Sequence, residues 1–227
     1  MMKKTVGMIS ALLLFCAAAP SSRALIDDFD DGNFDGWKVQ SGIWKVKNGE
    51  LNYKGGSGIC GASLYYEEGL EWTDYEFEVD MKFTTRNDWP GGIRVRLNPD
   101  TGGSYFTWVY PTQTAIMVYI ADAWDCNNNR GIAQRRAWEP PELGEWGQLK
   151  MVVEGREIQS WWNGEEILSI KDKAWERGTI SFTTFTEDVF FDNVRVAGPG
   201  IPLDPGEAVE PEGKLTTTWG KLKSSYS

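Results

Sequence analysis

The sequence predicts an all-β protein, an antiparallel two-sheet jelly-roll sandwich. Short runs of alternating apolar and polar residues recur along the chain, for instance at 43–47 and 75–83. Asn48-Gly49 and Asn163-Gly164 each separate two such runs, and Asn-Gly is a strong signal for a β-hairpin. Helical periodicity is lacking beyond the N-terminal segment, and no segment repeats. About a dozen short strands without a repeat are typical of a jelly roll, not of a propeller or a solenoid.

The expected strands follow one another in order, with turn residues between them. The opening strand lies within 25–31, and the Asn48-Gly49 turn joins 43–47 to 50–53. Glu154-Gly155 turns the strand at 148–153 into the next one, and Asn163-Gly164 makes the following hairpin. The remaining expected strands are 75–83, 92–97, 104–110, 115–121, 158–162, 166–170, 179–184 and 189–196.

The first 24 residues have the features of a secretory signal. Lys3 and Lys4 precede an apolar run at 5–19 that is too short to span a bilayer. Ser22-Arg23-Ala24 places small residues at the −3 and −1 positions of a cleavage site. We therefore expect a protein secreted to the periplasm or the extracellular space, with no transmembrane segment in the mature chain.

The rest of the chain divides into one domain and a tail. Residues 25–198 are enough for a single domain with a sizeable core. After Gly198 the composition changes to Pro, Gly and Glu, so we expect 199–227 to be a flexible linker and C-terminal tail. The apolar and basic segment 213–223 either docks the protein to a surface or is disordered.

Charge and composition exclude several classes of function. The chain has 23 Lys and Arg against 33 Asp and Glu, and loss of the signal, with three basic residues and no acidic one, changes the net charge from −10 to −13. Such a surface repels nucleic acid, so neutral ligands and cations are the favoured partners. The chain has no histidine, which excludes Ser-His-Asp and Cys-His nucleophiles and His-ligated zinc.

Several short motifs stand in the order seen in concanavalin A-like domains. They are Asp28-Phe29-Asp30, Gly36-Trp37, Trp44, Asn48-Gly49-Glu50-Leu51, the segment 72–83, the segment 91–96, Trp162-Asn163-Gly164 and Phe191-Asp192-Asn193-Val194. The match covers nearly all of 25–198, and it resembles most the laminin-G-like carbohydrate-binding modules and the 3-keto-disaccharide hydrolase domain family. This resemblance implies that the first and last strands are neighbours within one sheet. It identifies the fold well and the ligand badly.

The resemblance also implies a metal site. In similar domains a structural Ca²⁺ is held near the chain ends by an Asp of the last strand and by backbone oxygens of the first strand and first hairpin. The matching positions are Asp28, Gly49 and Asp192. The alternative is that these residues cap turns and accept local hydrogen bonds.

Two cysteines remain in the exported chain. An even number in such a compartment favours a disulfide between Cys60 and Cys126. Two independent buried thiols are the alternative, because only geometry decides pairing.

The strand at 92–97 is the expected ligand-facing strand. Alternation would leave Arg94 and Arg96 side by side on the outer face of a sheet, where guanidinium groups can donate to sugar hydroxyls or to a carboxylated sugar. The alternative is that they pair with strand carboxylates such as Glu78 or Asp80. The chain has 12 Trp, and sugar rings stack on such side chains. The expected aromatic ligand residues are Trp89, Trp108, Tyr119, Trp124 and Trp161.

The strand at 75–83 offers a different chemistry. Glu76, Glu78 and Asp80 share one of its faces, superficially like the acidic strand of family 16 glucanases. In that resemblance the acid/base residue would stand at position 83, which here is Phe83. A solvated strand face is therefore favoured over a catalytic one.

Three functions follow. The first is a secreted carbohydrate-binding module that recognises a glycan on one sheet face. The second is a hydrolase of 3-keto-disaccharides or other glycosides that uses carboxylates. The third is a structural cell-surface or adhesion domain.

Overall fold

The structure, a computed structural model, is described for residues 24–55, 61–86, 88, 90–112, 115–124 and 129–202. Within these ranges the regular secondary structure consists of β-strands, and no helix occurs. The strands are β1 (Ala24–Asp27), β2 (Trp37–Ser41), β3 (Trp44–Lys47), β4 (Glu50–Tyr53), β5 (Ala62–Tyr66), β6 (Tyr75–Phe83), β7 (Gly91–Leu97), β8 (Ser104–Val109), β9 (Ala115–Ala121), β10 (Asn129–Ala137), β11 (Trp146–Glu154), β12 (Glu157–Trp162), β13 (Glu165–Lys171), β14 (Thr179–Thr184) and β15 (Val189–Ala197).

The strands form two antiparallel sheets. The eight-stranded sheet has the order β13-β12-β11-β6-β15-β4-β3, and β1 also pairs with β15. The seven-stranded sheet has the order β10-β9-β8-β7-β14-β5-β2. The first and last strands pair from Ala24 opposite Ala197 to Asp27 opposite Val194. The predicted sandwich and the meeting of the chain ends are therefore confirmed.

Two hairpins have the backbone conformation that their sequence predicts. Asn48 and Gly49 have φ of 56° and 74°, and Asn163 and Gly164 have φ of 49° and 82°. Positive φ at both central residues defines a type I′ turn, which matches the twist of the strands it joins. These turns fix the registers of β3 with β4 and of β12 with β13.

The core lies between the sheets, and Phe182 of β14 is near its centre. Its ring lies 4.6 Å from Trp37, 4.8 Å from Phe191 and 5.8 Å from Phe77, measured between centroids. Trp37 belongs to the same sheet as Phe182, while Phe77 and Phe191 belong to the other. Phe182 therefore holds the two layers together by direct ring contact.

Three strands are absent from the sequence-based prediction, namely β2, β5 and β10. β2 buries only Trp37 among its five residues, and β10 is rich in polar and basic residues. Both are edge strands of the seven-stranded sheet, so each pairs on one side only and needs little apolar alternation. β5 reads Ala-Ser-Leu-Tyr-Tyr, in which alternation is weak.

Some predictions lie outside the described residues. They are the signal, of which only Ala24 is described, the tail beyond residue 202, the Cys60–Cys126 disulfide and the ligand role of Trp89. Within the part of the chain that is described, no helix is long and apolar enough to cross a membrane.

Candidate functional site

One row of side chains points away from the core on the central strands of the seven-stranded sheet. Ile93 and Val95 of β7 enter the main core, so Arg94 between them points outward. Phe106 and Trp108, two residues apart on β8, belong to a second small apolar cluster outside that core. We refer to the outer surface of the sheet around these three side chains as the Arg94 face.

Aromatic rings make up much of the Arg94 face. Phe106 stacks on Tyr119 of β9, with centroids 4.9 Å apart and 10° between the ring planes. It meets the edge of Trp108 at 4.9 Å, and Trp108 lies 5.4 Å from Phe185. Trp108 pairs across β7 and β8 with Gly92, where a Cβ would overlap the carbonyl oxygen of Thr107. The result is a cluster of rigid rings in which Phe106 and Trp108 are buried, at 2% and 4% exposed, and Tyr119 is partly exposed.

The Arg94 guanidinium is embedded in this cluster and held by hydroxyl groups. Its Nε donates to Thr183 Oγ1 at 3.0 Å, and its Nη1 donates to Ser104 Oγ at 3.0 Å. Its Cζ lies 4.5 Å from the centre of the Phe106 ring and 5.3 Å from that of Trp124, within range of cation–π attraction. Among the described residues, none accepts a hydrogen bond from Nη2.

No described carboxylate neutralises the charge of Arg94. The side chain is 2% exposed, and none of the ion pairs of the described chain includes it. Burial lowers the pKa of Arg94 to about 10, because loss of water disfavours the charged form. The Arg94 face therefore contains a buried positive charge with one unused donor group.

A β-bulge separates the two arginines that the sequence places side by side. β7 advances three residues, from Arg94 to Leu97, while β14 advances two, from Thr179 to Ser181. Arg96 occupies the bulge with φ of 49°. The expectation that alternation exposes both arginines on one face is therefore wrong, since both are buried and only Arg94 belongs to the Arg94 face.

Arg96 instead links the two sheets at one end of the sandwich. Its Nε donates to the carbonyl of Thr73 at 2.9 Å, and its Nη1 donates to the carbonyls of Gly155 at 2.8 Å and Trp175 at 3.3 Å. Its Nη2 lies 3.4 Å from Asp74 Oδ1. Thr73 and Asp74 precede β6, and Gly155 follows β11, so all three flank strands of the eight-stranded sheet. The alternative that these arginines pair with carboxylates therefore applies to Arg96, whose carboxylate partner is Asp74.

The other predicted aromatic residues divide between the two sheets. Trp124 borders the Arg94 face, where its Nε1 donates to the carbonyl of Pro99 at 2.9 Å. Its ring lies 6.2 Å from that of Tyr65. Trp161 lies on the eight-stranded sheet, 5.4 Å from Lys150 Nζ and opposite that residue in the β11–β12 pair. The structure therefore brings Arg94, Trp108, Tyr119 and Trp124 together and leaves Arg96 and Trp161 elsewhere.

Sequence reasoning missed four residues of this face, Phe106, Thr183, Ser104 and Tyr65. Phe106 had a usable signal, because it stands two residues before Trp108 and must share its face. Thr183 and Ser104 had none, since their importance comes from the guanidinium that they hold.

The acidic row of β6 lies on the outer face of the eight-stranded sheet. Burial alternates strictly along Tyr75–Phe83, and the acidic residues are the less buried ones. Glu76 accepts a hydrogen bond from Arg195 at 2.6 Å, and Glu78 lies 3.2 Å from Lys150 Nζ. Phe83 is buried in the core. This surface is an ion-paired strand face, as the sequence favoured.

The predicted calcium ligands lie near a different acidic group. Asp192 stands opposite Asp80 in the β15–β6 pair. Burial, together with the charges of Asp80, Asp30 and Glu50, raises the pKa of Asp192 to about 6. A Cβ placed on Gly49 would lie 2.5 Å from Asp30 Oδ1, so Asp30 faces the first hairpin. The carboxylate of Asp28 accepts a hydrogen bond from the backbone nitrogen of Asp30 at 3.2 Å, and the role predicted for Asp28 concerns its backbone oxygen.

This group does not form a complete metal site among the described residues. No set of three or more His, Cys, Asp and Glu side chains within the described ranges could hold a metal ion. The raised pKa of Asp192 nevertheless has a thermodynamic consequence. Its neutral form favours folding, so this contribution is present below the ordinary pKa of 3.8 and is lost as the pH rises through about 6.

The fold and the Arg94 face together define a carbohydrate-binding or glycoside hydrolase-like jelly-roll domain of the concanavalin A-like kind. The model of the 3-keto-alpha-glucoside-1,2-lyase-like domain matches residues 24–197, and the chain belongs to this family. No curated protein matches the chain.

Solved structures share the fold at low sequence identity. The carbohydrate-binding module CBM66 of Bacillus subtilis is 15% identical with a TM-score of 0.60, covering 73% of this chain and 98% of its own. The β-glucanase of Bacillus licheniformis is 9% identical with a TM-score of 0.60, covering 78% and 99%. The exoplasmic/lumenal domain of VIP36, bound to Ca²⁺ and Man3GlcNAc, is 11% identical with a TM-score of 0.56, covering 81% and 91%. At these identities the likeness shows the fold alone.

Proposed function

We propose that this protein is an exported carbohydrate-binding domain that takes its glycan on the Arg94 face. One observation carries the proposal: a buried guanidinium with an unused donor group lies within a cluster of aromatic rings. Sugar rings have apolar C–H faces that stack on aromatic rings and hydroxyls that accept hydrogen bonds. The partly exposed rings of Tyr119 and Trp124 supply the stacking surface, and Arg94, which is itself 2% exposed, supplies the donor beside them.

The composition of the face supports binding over hydrolysis. The outward side chains identified on the seven-stranded sheet are aromatic, hydroxyl-bearing or Arg94, and none of them is a carboxylate. Glycoside hydrolysis ordinarily needs two carboxyl groups about 5 to 10 Å apart across the scissile bond. The acidic row with Glu76 and Glu78 lies on the other sheet and is ion-paired.

Sugar cleavage is the second candidate, and the family match favours it. With no histidine in the chain, such an activity would use carboxylates, Lys, Tyr or a metal held by oxygen. A structural surface or adhesion domain, docked through the C-terminal tail, is the third candidate.

The proposal includes a structural calcium at the chain ends, remote from the glycan. Asp192, Asp30 and the Gly49 turn supply the oxygens, because a cation would offset the burial and the carboxylate repulsion that together raise the pKa of Asp192. Asp28 would support the turn that positions Asp30. VIP36, which shares the fold, is Ca²⁺-bound.

A glycan array and a turnover assay on the exported protein test the proposal. We expect at least one class of oligosaccharide to bind, with no cleavage of 3-keto or ordinary disaccharides. Turnover would select the enzyme instead. Absence of both binding and turnover would leave the structural role. Mass spectrometry of the exported chain should show loss of residues 1–24.

A further inference from the structure

We propose that the Arg94 face selects sugars that carry a carboxylate, that is, uronic acid residues. The inference rests on the proposed function and names the ligand class for the same site. It follows from the surroundings of the Arg94 guanidinium, whose charge the described protein does not balance.

Arg94 has no counter-charge among the described residues. Thr183 and Ser104, which hold Nε and Nη1, are neutral hydroxyl groups. The other oxygen near Nη1 is the carbonyl of Gly102, at 3.5 Å. Buried charges in proteins are normally paired, because an uncompensated one keeps its full desolvation cost. A ligand anion is the partner that would remove this cost.

Arg96 serves as an internal reference for Arg94. Both arginines are at most 2% exposed and both belong to β7. Arg96 has Asp74 and three backbone carbonyls as acceptors. The same strand thus contains one arginine whose partners are complete and one that keeps Nη2 unused. The difference points to a ligand at Arg94.

The surroundings of Arg94 are largely aromatic. The Arg94 guanidinium contacts the rings of Phe106 and Trp124, and the partly exposed Tyr119 and Tyr65 extend the aromatic surface. A carboxylate on a sugar ring lets the ring stack on an aromatic side chain while the anion reaches a cation beside it. One free amino group matches one carboxylate oxygen, in a charge-assisted hydrogen bond.

The negative net charge, −10 for the full chain and −13 without residues 1–24, does not oppose this selectivity. Repulsion between exposed charges is screened over about 8 Å at physiological ionic strength. Attraction at a buried guanidinium is screened much less, since water and salt are excluded from its immediate surroundings. Local attraction therefore decides the preference once the ligand has reached the face.

The test compares acidic and esterified forms of the same glycans. Oligogalacturonate and its methyl ester have the same ring and linkage, and only the acid is charged. We expect the wild-type protein to bind the acid at least about tenfold more tightly, as expected for a charge-assisted hydrogen bond. Arg94→Gln should reduce this ratio to about one, while Lys150→Gln on the opposite sheet should leave it unchanged.

The outcomes separate the two proposals. Equal affinity of the wild-type protein for acid and ester overturns the inference and leaves carbohydrate binding intact. A preference for the acid that survives Arg94→Gln overturns the assignment to Arg94. Absence of binding to any glycan overturns the proposed function together with the inference. The wild-type comparison needs no variant, so it stands even if Arg94→Gln fails to fold.

Discussion

Replacing each β7 arginine by methionine should give opposite results, because the two side chains have different partners. Met has a similar length and no charge, so Arg94→Met and Arg96→Met remove the guanidinium without leaving a large cavity. We expect Arg96→Met to be strongly destabilising and Arg94→Met to be nearly neutral for folding.

The magnitudes follow from the groups that each change leaves unpaired. Arg96→Met leaves the carbonyls of Thr73, Gly155 and Trp175 and the carboxylate of Asp74 without the guanidinium donor. Hydrogen bonds to a charged group contribute about 1.5–3 kcal/mol each, and water can replace part of them near exposed Thr73 and Gly155. The free energy of unfolding should therefore fall by about 3 kcal/mol.

Arg94→Met leaves groups that already have other partners. Thr183 Oγ1 lies 3.1 Å from Ser63 Oγ, and Ser104 Oγ donates to the carbonyl of Gly102 at 3.1 Å. The change also removes a desolvated charge without a protein counter-ion, which offsets the lost contacts. We expect a change in unfolding free energy of less than about 1 kcal/mol, so loss of glycan binding would not reflect unfolding.

Urea unfolding at constant pH measures both values, provided that the m-value stays constant. Equal destabilisation by the two variants would refute the reasoning, since it would show that Arg94 is as structural as Arg96. A change of less than about 1 kcal/mol for Arg96→Met would refute the link between the sheets.

Four further predictions concern the core, the chain ends and the cysteines. Phe182→Ala should lower the unfolding free energy by about 3–5 kcal/mol in the same urea assay, because it removes the ring that joins both layers; a loss under about 1 kcal/mol would contradict this. In metal-free buffer, the free energy of unfolding should fall as the pH rises from 4 to about 6. Asp192→Asn should flatten this dependence and stabilise the protein by about 1 kcal/mol at pH 7, after allowance for solvent screening. A flat pH profile of the wild-type protein would contradict this prediction. Calcium at a hundredfold excess over its dissociation constant should stabilise the wild-type protein by about 2.7 kcal/mol and the Asp192→Asn variant much less. A melting temperature that a chelator leaves unchanged would show that the calcium site does not exist. Thiol titration of the denatured, exported protein should find no reactive group, as a Cys60–Cys126 bond requires; such a bond would restrain the unfolded chain by about 4 kcal/mol, and two reactive thiols would disprove it.

The fold could be predicted because its determinants are local. Strict alternation in β6 and the two Asn-Gly turns specify strands and hairpins from a few neighbouring residues. Edge strands such as β10 were not predicted, because a strand that pairs on one side only needs little alternation of apolar residues.

The candidate site could be predicted only in part, because the β-bulge at Arg96 is determined by tertiary contacts and not by the local sequence. Arg96 adopts positive φ although it is not glycine, and contacts with Thr73, Gly155 and Trp175 hold it there. Nothing adjacent in sequence signals those contacts. Alternation held through Val95 and failed at the bulge residue Arg96, so the outward direction of Arg94 was predicted and the position of Arg96 was not.

The most direct test of the central claim is a calorimetric titration of the tightest-binding glycan against two matched variants. Tyr119→Ala removes a ring from the Arg94 face, whereas Trp161→Ala removes a ring from the opposite sheet. A stacked ring contributes about 1 kcal/mol or more, so Tyr119→Ala should weaken binding by about fivefold to tenfold or more. Trp161→Ala should leave the affinity within about twofold of the wild-type value. Loss of affinity in Trp161→Ala with an unchanged Tyr119→Ala would place the glycan on the other sheet and contradict the account.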